Sequence, residues 1–236
     1  MKNQYFGDTR DLFKYDLILE LLLKNDFLER FTFIPMLTED TQNRHGGRTN
    51  YDHARAGTQR EELRSFLARC IVENRRNIRE LERFESKLPR KVDFTIYRKK
   101  EYFSHEARAR YFNEIGERLL SRAAIPIDPD VGLEVKSMRG REQNYIAYAE
   151  VELLFNRMDR NSVLIVFQFI PRVKRGPYFS QIGRKLKNAV DSSSVLYISD
   201  NQVAFFLLTK DMGVQRQVMN TINEYRRTYK LTAGNT

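Results

Sequence analysis

The chain is poor in the residues that make cross-links and metal clusters. It has one cysteine, Cys70, which excludes an intrachain disulfide, and only three histidines to add to it, scant material for a structural zinc site. No apolar run approaches the roughly 20 residues that span a bilayer. The longest, residues 17–23, is interrupted by Glu20 and sits in an amphipathic pattern. The opening Met1-Lys2-Asn3-Gln4-Tyr5 lacks the apolar centre of a signal peptide. Internal repeats and low-complexity linkers are missing too. Together these absences fit a chain working in a reducing cytoplasm, away from membranes.

What is present is a globular composition with a strong charge bias. Hydrophobic residues make up 41% and aromatics 12% of 236 residues, enough for a substantial core and too much for a disordered polymer. We read residues 1–236 as a single α/β domain. The 41 Lys and Arg against 31 Asp and Glu leave a net charge of +10, which favours polyanionic partners, nucleic acid (RNA or DNA) above all.

Hydrophobic periodicity orders the chain. Asp8 or Thr9 caps a helix to about Asn25, with Phe13, Leu17 and Leu21 on one stripe. Residues 31–37 read as an apolar strand, followed by a polar loop over 38–57. Residues 58–91 read as a helical insertion, broken near Asn74-Arg75-Arg76-Asn77. Its Arg75, Arg76, Arg79 and Arg83 can track a phosphate backbone, but the interleaved Glu73, Glu80, Glu82 and Glu85 favour a salt-bridged solvent face. A strand at 92–97, a helix capped by Ser104 and reaching Leu119, and a strand at 123–127 follow. Then come a helix at 145–158, the strongest strand at 162–170, a helix opened by Pro177, two strands flanking Asp200-Asn201-Gln202, and a last helix at 213–229. Alternating strands and helices predict a Rossmann-type, mostly parallel sheet with an antiparallel edge pair.

Ligands of such sheets bind beyond the carboxyl ends of the strands, near the switch point. Three loops should therefore meet. The first carries Arg44, His45, Gly46, Gly47 and Arg48; the second Asp128, Pro129, Asp130, Glu134 and Lys136; the third Arg172, Lys174 and Arg175. The third precedes a helix N-terminus, so it is either a phosphate site or a solvated basic loop. Asp128-Pro129-Asp130 is either a binding acid pair or a stiff turn.

Two stretches resemble a known family. Phe6-Gly7-Asp8-Thr9-Arg10-Asp11-Leu12-Phe13-Lys14-Tyr15 resembles the opening Gly-Asn-x-x-Asp-x-x-Lys-His of bacterial large-subunit ribosomal RNA adenine-N6 methyltransferases, and Ile127-Asp128-Pro129-Asp130 falls where that family has Asp-Pro-Pro-Tyr. The resemblance implies a Rossmann-type fold and S-adenosylmethionine as cofactor. It places Asp11 and Lys14 near the cofactor and substrate entrance, and the segment with His45, Gly46 and Gly47 in the glycine-rich cofactor loop. It makes Asp128 and Pro129 the holders of the target amine; Asp130, the second acid of the turn, is counted with them as a catalytic candidate. Asp130-Val131 stands where the family has Pro-Tyr, so the aromatic that stacks on the target base has no equivalent there.

Three functions follow from these residues. One is a nucleic-acid-directed methyltransferase or a degenerate relative of one. Another is a Mg²⁺-dependent nuclease or phosphotransfer enzyme, with Asp128, Asp130 and Glu134 on the metal and Lys136 on the phosphate. The third is a non-catalytic nucleic-acid-binding protein.

Overall fold

The computed structural model describes residues 1–41, 47–52, 56–88, 91–192 and 194–236. In chain order the elements are α1 (Thr9–Lys24), β1 (Arg30–Pro35), α2 (Glu61–Val72), a 3-10 helix (Ile78–Lys87), β2 (Asp93–Ile96), α3 (Arg108–Asn113), α4 (Glu117–Leu120) and β3 (Ala123–Asp128). There follow β4 (Gly132–Leu133), β5 (Tyr145–Ile146), α5 (Tyr148–Arg157), β6 (Val163–Phe169), α6 (Arg175–Val190), β7 (Leu196–Ser199), β8 (Val203–Leu208), α7 (Met212–Tyr229) and β9 (Thr232–Asn235).

Seven strands form one sheet in the order β2-β1-β3-β6-β8-β7-β9. The first four are mutually parallel; β8 runs antiparallel to both β6 and β7, and β9 antiparallel to β7. Burial on both faces explains the apolar strands. Phe31, Phe33, Ile165, Phe167 and Phe205 face one core with α1, α2 and α7, while Ile34, Ile125, Ile127, Val166 and Phe206 face a second core with α5 and α6. This is the expected Rossmann-like α/β fold with an antiparallel edge. Among the described residues, no helix is long and apolar enough to cross a membrane.

Local chemistry sets the element ends. The Asp8 side chain caps α1 by accepting from the backbone N–H groups of Arg10 and Asp11 at 2.9 and 3.0 Å. The helix expected from Ser104 to Leu119 is instead two short ones. Gly116 takes an extended conformation, and the Arg157 guanidinium donates to the carbonyls of Phe112, Asn113 and Ile115 that the break leaves open. The helix expected from Tyr145 starts three residues later, because Tyr145–Ile146 pairs with Gly132–Leu133. Thr232–Asn235, polar enough to read as a tail, adds a strand beside β7.

The chain leaves β1 for β2 on one side and reaches β3 on the other. The switch point therefore lies where β1 and β3 end, at Pro35 and Asp128. Beyond β3, Gly132 has φ +140°, and a Cβ there would lie 2.4 Å from the Gln168 side-chain oxygen. That close approach lets Gln168 accept from the Leu133 N–H at 2.8 Å and donate to the Phe169 carbonyl at 2.7 Å, fixing the loop after β3 against the end of β6. Gly132→Ala is expected to lower stability by about 1–3 kcal/mol in urea unfolding; an unchanged midpoint would show that Gln168 does not hold this loop.

Candidate functional site

Helical spacing puts Asp11 and Lys14 on one face of α1, and that face points at the end of β3. The Lys14 Nζ lies 2.6 Å from Asp11 Oδ1 and 2.7 Å from Asp128 Oδ2, with all three side chains buried. The rings of Tyr15, Phe33 and Phe167 surround the ammonium at 5.0, 5.5 and 5.8 Å. Asp11 Oδ2 accepts from the Gly7 N–H at 3.1 Å.

Burial decides the protonation states. It pushes Asp11 up to about 6 despite the attraction of Lys14, with Asp8 and Asp128 adding to the rise. Burial alone would lower Lys14, but Asp11 and Asp128 outweigh it and hold the ammonium charged. Lys14 thus bridges the two acids as a charged anchor. Burial also raises Asp8, against the pull of its backbone hydrogen bonds and of Arg10.

These groups floor a cavity of about 710 Å³ lined by Met1, Tyr5, Asp8, Arg10, Asp11, Lys14, Gly47, Arg48, Asp128, Pro129, Asp130, Val131, Phe167 and Phe169. Of the residues expected to form a site, Asp11, Lys14, Gly47, Asp128, Pro129 and Asp130 share it; His45 and Gly46, with Arg44, lie outside the described residues. Asp130 is already engaged: the N-terminal ammonium of Met1 lies 2.7 Å away, Lys2 Nζ 3.6 Å, and the Thr38 hydroxyl donates to it at 2.6 Å. Burial opposes its charge, but the ammonium and that hydroxyl prevail and hold its carboxyl below the usual range.

Arg172, Lys174 and Arg175 leave the same edge of the sheet, since β3 and β6 are parallel neighbours and the Phe169 N–H donates to the Val131 carbonyl at 2.8 Å. All three are exposed and do not line the cavity. Of the four arginines expected to share one helical face, Arg75 pairs with Glu73 and Glu80, Arg83 pairs with Glu80, Arg76 donates to the Phe6 carbonyl and Arg79 donates to the Asn77 side-chain oxygen. That face is a salt-bridged one.

The acids do not fit Mg²⁺. Glu134 accepts from the Tyr148 N–H at 2.8 Å at the start of α5, away from Asp128, and Asp128 and Asp130 are held by separate cations. Among the described residues no group of three His, Cys, Asp or Glu is arranged to hold a metal.

Arg48, expected in the first loop, lines the cavity, but Phe169 and the contacts of Gln202 escaped the sequence reading. Phe169 ends β6 with 37% of its surface exposed, one of few large apolar side chains so placed, and carries the Arg10 guanidinium 5.0 Å above its ring. It stands beside Val131, with its N–H donating to the Val131 carbonyl at 2.8 Å, so an aromatic ring borders the acidic turn from the neighbouring strand. Its place at the carboxyl end of the strongest strand was the available signal. Arg10 and Arg48 both reach Gln202 of the β7–β8 turn, a convergence of three distant segments that no local motif announces. No family model matches the chain, and no curated protein matches it significantly.

Two outcomes test this electrostatic floor. Lys14→Met, which leaves two buried carboxylates facing each other, is expected to cost about 3–5 kcal/mol, and adding Asp11→Asn should recover part of it; additive losses in urea unfolding would refute the shared ammonium. Asp11 has an ordinary value near 3.8 and about 6 when folded, so its contribution is complete below the former and lost as pH rises through the latter. The stability of the wild type relative to Asp11→Asn should therefore fall between pH 4 and pH 7, by on the order of 2 kcal/mol. A constant difference across that window would exclude the raised carboxyl.

Proposed function

We propose that the chain is a divergent methyltransferase-like protein acting on or recognising nucleic acid, and that its cavity takes a nucleoside-type ligand. The observation that carries this reading is the meeting of a buried carboxylate, Asp128, and a partly exposed ring, Phe169, in one cavity at the switch point. A base needs both: an acceptor for its exocyclic amine and a surface for its π-face. Lys14 holds Asp128 Oδ2 and so orients the carboxylate, leaving Oδ1 to accept from an amine. Phe169 offers the stacking face and Phe167 an apolar wall.

The donor set fits S-adenosylmethionine. A cavity of about 710 Å³ lies within the usual range for small-molecule sites, and it joins aromatic walls to carboxylates suited to a cationic ligand bearing hydroxyl and amine donors. Asp11, Lys14, Gly47 and Phe167 are the residues that would hold it. When bound, it supplies an electrophilic methyl group. The exposed Arg172, Lys174 and Arg175, with no ion pair among the described residues, suit the phosphates of RNA or DNA at the rim, in keeping with the net charge of +10.

Transfer of labelled methyl groups from S-adenosylmethionine to RNA and DNA oligonucleotides tests the reading, alongside binding of the same oligonucleotides. Asp128→Asn is expected to lower transfer by about 100-fold or more. Phe169→Ala should weaken oligonucleotide binding by about 1–3 kcal/mol. Wild-type protein that neither transfers methyl groups nor binds oligonucleotides and the cofactor would overturn the proposal.

A further inference from the structure

A second cavity of about 420 Å³ adjoins the first, lined among others by Thr9, Arg48, Asp200, Gln202 and Lys230. Gly47 and Arg48 line both cavities, so the partition between them is a thin one. A cluster of side chains stands at that partition. Arg10 donates through Nε and Nη2 to the Gln202 side-chain oxygen at 3.3 and 3.2 Å, and Arg48 donates to the same oxygen. Two guanidiniums thus converge on one neutral amide oxygen.

That arrangement is electrostatically incomplete. Guanidinium forks match carboxylate and phosphate oxygens two at a time, and an anionic acceptor adds an attraction of opposite charges that a neutral amide oxygen lacks. The nearest acids do not fill the gap. Asp8 caps α1 with Oδ1 and brings Oδ2 only to 3.8 Å from Arg10 Nη1, beyond hydrogen-bond distance, and Asp200 accepts through Oδ1 from the N–H groups of Gln202 and Val203. Among the described residues Arg48 has no acidic partner. Lys230 across the second cavity adds further positive charge.

We propose that Arg10, Arg48 and Gln202 form an anion site, which takes the carboxylate or phosphate of a ligand whose ring lies in the first cavity against Phe169. The anion displaces Gln202, whose side chain holds the two guanidiniums together in the meantime. This extends the nucleoside reading of the first cavity and rests on it for the position of the ring, but the anion site can be tested without it.

Calorimetry with matched ligands isolates the anion. 5′-AMP against adenosine tests a phosphate; S-adenosylhomocysteine against 5′-methylthioadenosine tests a carboxylate; inorganic pyrophosphate needs no ring pocket. In at least one pair the anionic member should bind about tenfold tighter or more, and the pair that does so identifies the anion. Arg48→Gln should shrink the preference. Gln202→Glu, which sets a permanent carboxylate between the arginines, should abolish it. Equal affinities within both pairs, or a preference that survives Gln202→Glu, would overturn the anion site while leaving the nucleoside reading intact. If no nucleoside binds, pyrophosphate binding that Gln202→Glu removes retains the anion site and sinks the nucleoside reading; no pyrophosphate binding either would sink both.

Discussion

One buried ammonium joins the first helix to the centre of the sheet. Lys14 bonds Asp11 within α1 and Asp128 at the end of β3, among aromatic side chains whose low polarity strengthens the attraction between these buried charges. A buried cation of this kind persists only with its partners in place, so the N-terminus of α1 cannot drift from the switch point without exposing or orphaning a charge. Tyr5, Asp8 and Arg10 line the cavity beside that anchor.

The same anchor divides labour between two acids that are neighbours in sequence. Asp128 faces the protein's own lysine, while Asp130, two residues on, is countered by the Met1 ammonium and Lys2, accepts from the Thr38 hydroxyl, and holds the N-terminal segment against the ends of β1 and β3. The turn between them therefore serves both as structure and as a wall of the cavity. Phe169 completes that wall from β6, held at Val131 by a backbone bond and by the amide of Gln168. Around the mouth, cations stand in two states. Arg10 and Arg48 are drawn together over Gln202, whereas Arg172, Lys174 and Arg175 are exposed at the same edge, with no ion pair among the described residues.

Much of this was legible in the residues. Apolar strands alternating with amphipathic helices were enough to specify the α/β sheet, and the cap at Asp8 and the break after Val72 were readable because each is local chemistry. The grouping of Asp11, Lys14 and Asp128 came from a family resemblance and a rule about strand ends. The misses share a cause: each depends on a partner far along the chain. The division of α3 from α4 is stabilised by Arg157, the strand at Thr232 by β7, and the cluster over Gln202 by residues 192 and 154 positions away. Phe169 was visible as a strand residue, but only the register of β6 beside β3 shows that its ring borders the acidic turn.

The claim at the centre of this account is that the acid–lysine floor and the Phe169 ring belong to a ligand-binding site. A crystal structure grown with S-adenosylhomocysteine, at a concentration shown by calorimetry to saturate the protein, tests that most directly. Density for the nucleoside is expected within the cavity, in contact with Phe169 or Phe167 and with the carboxylates that Lys14 holds. Density for the bound ligand elsewhere on the protein, with this cavity filled by water alone, would contradict it.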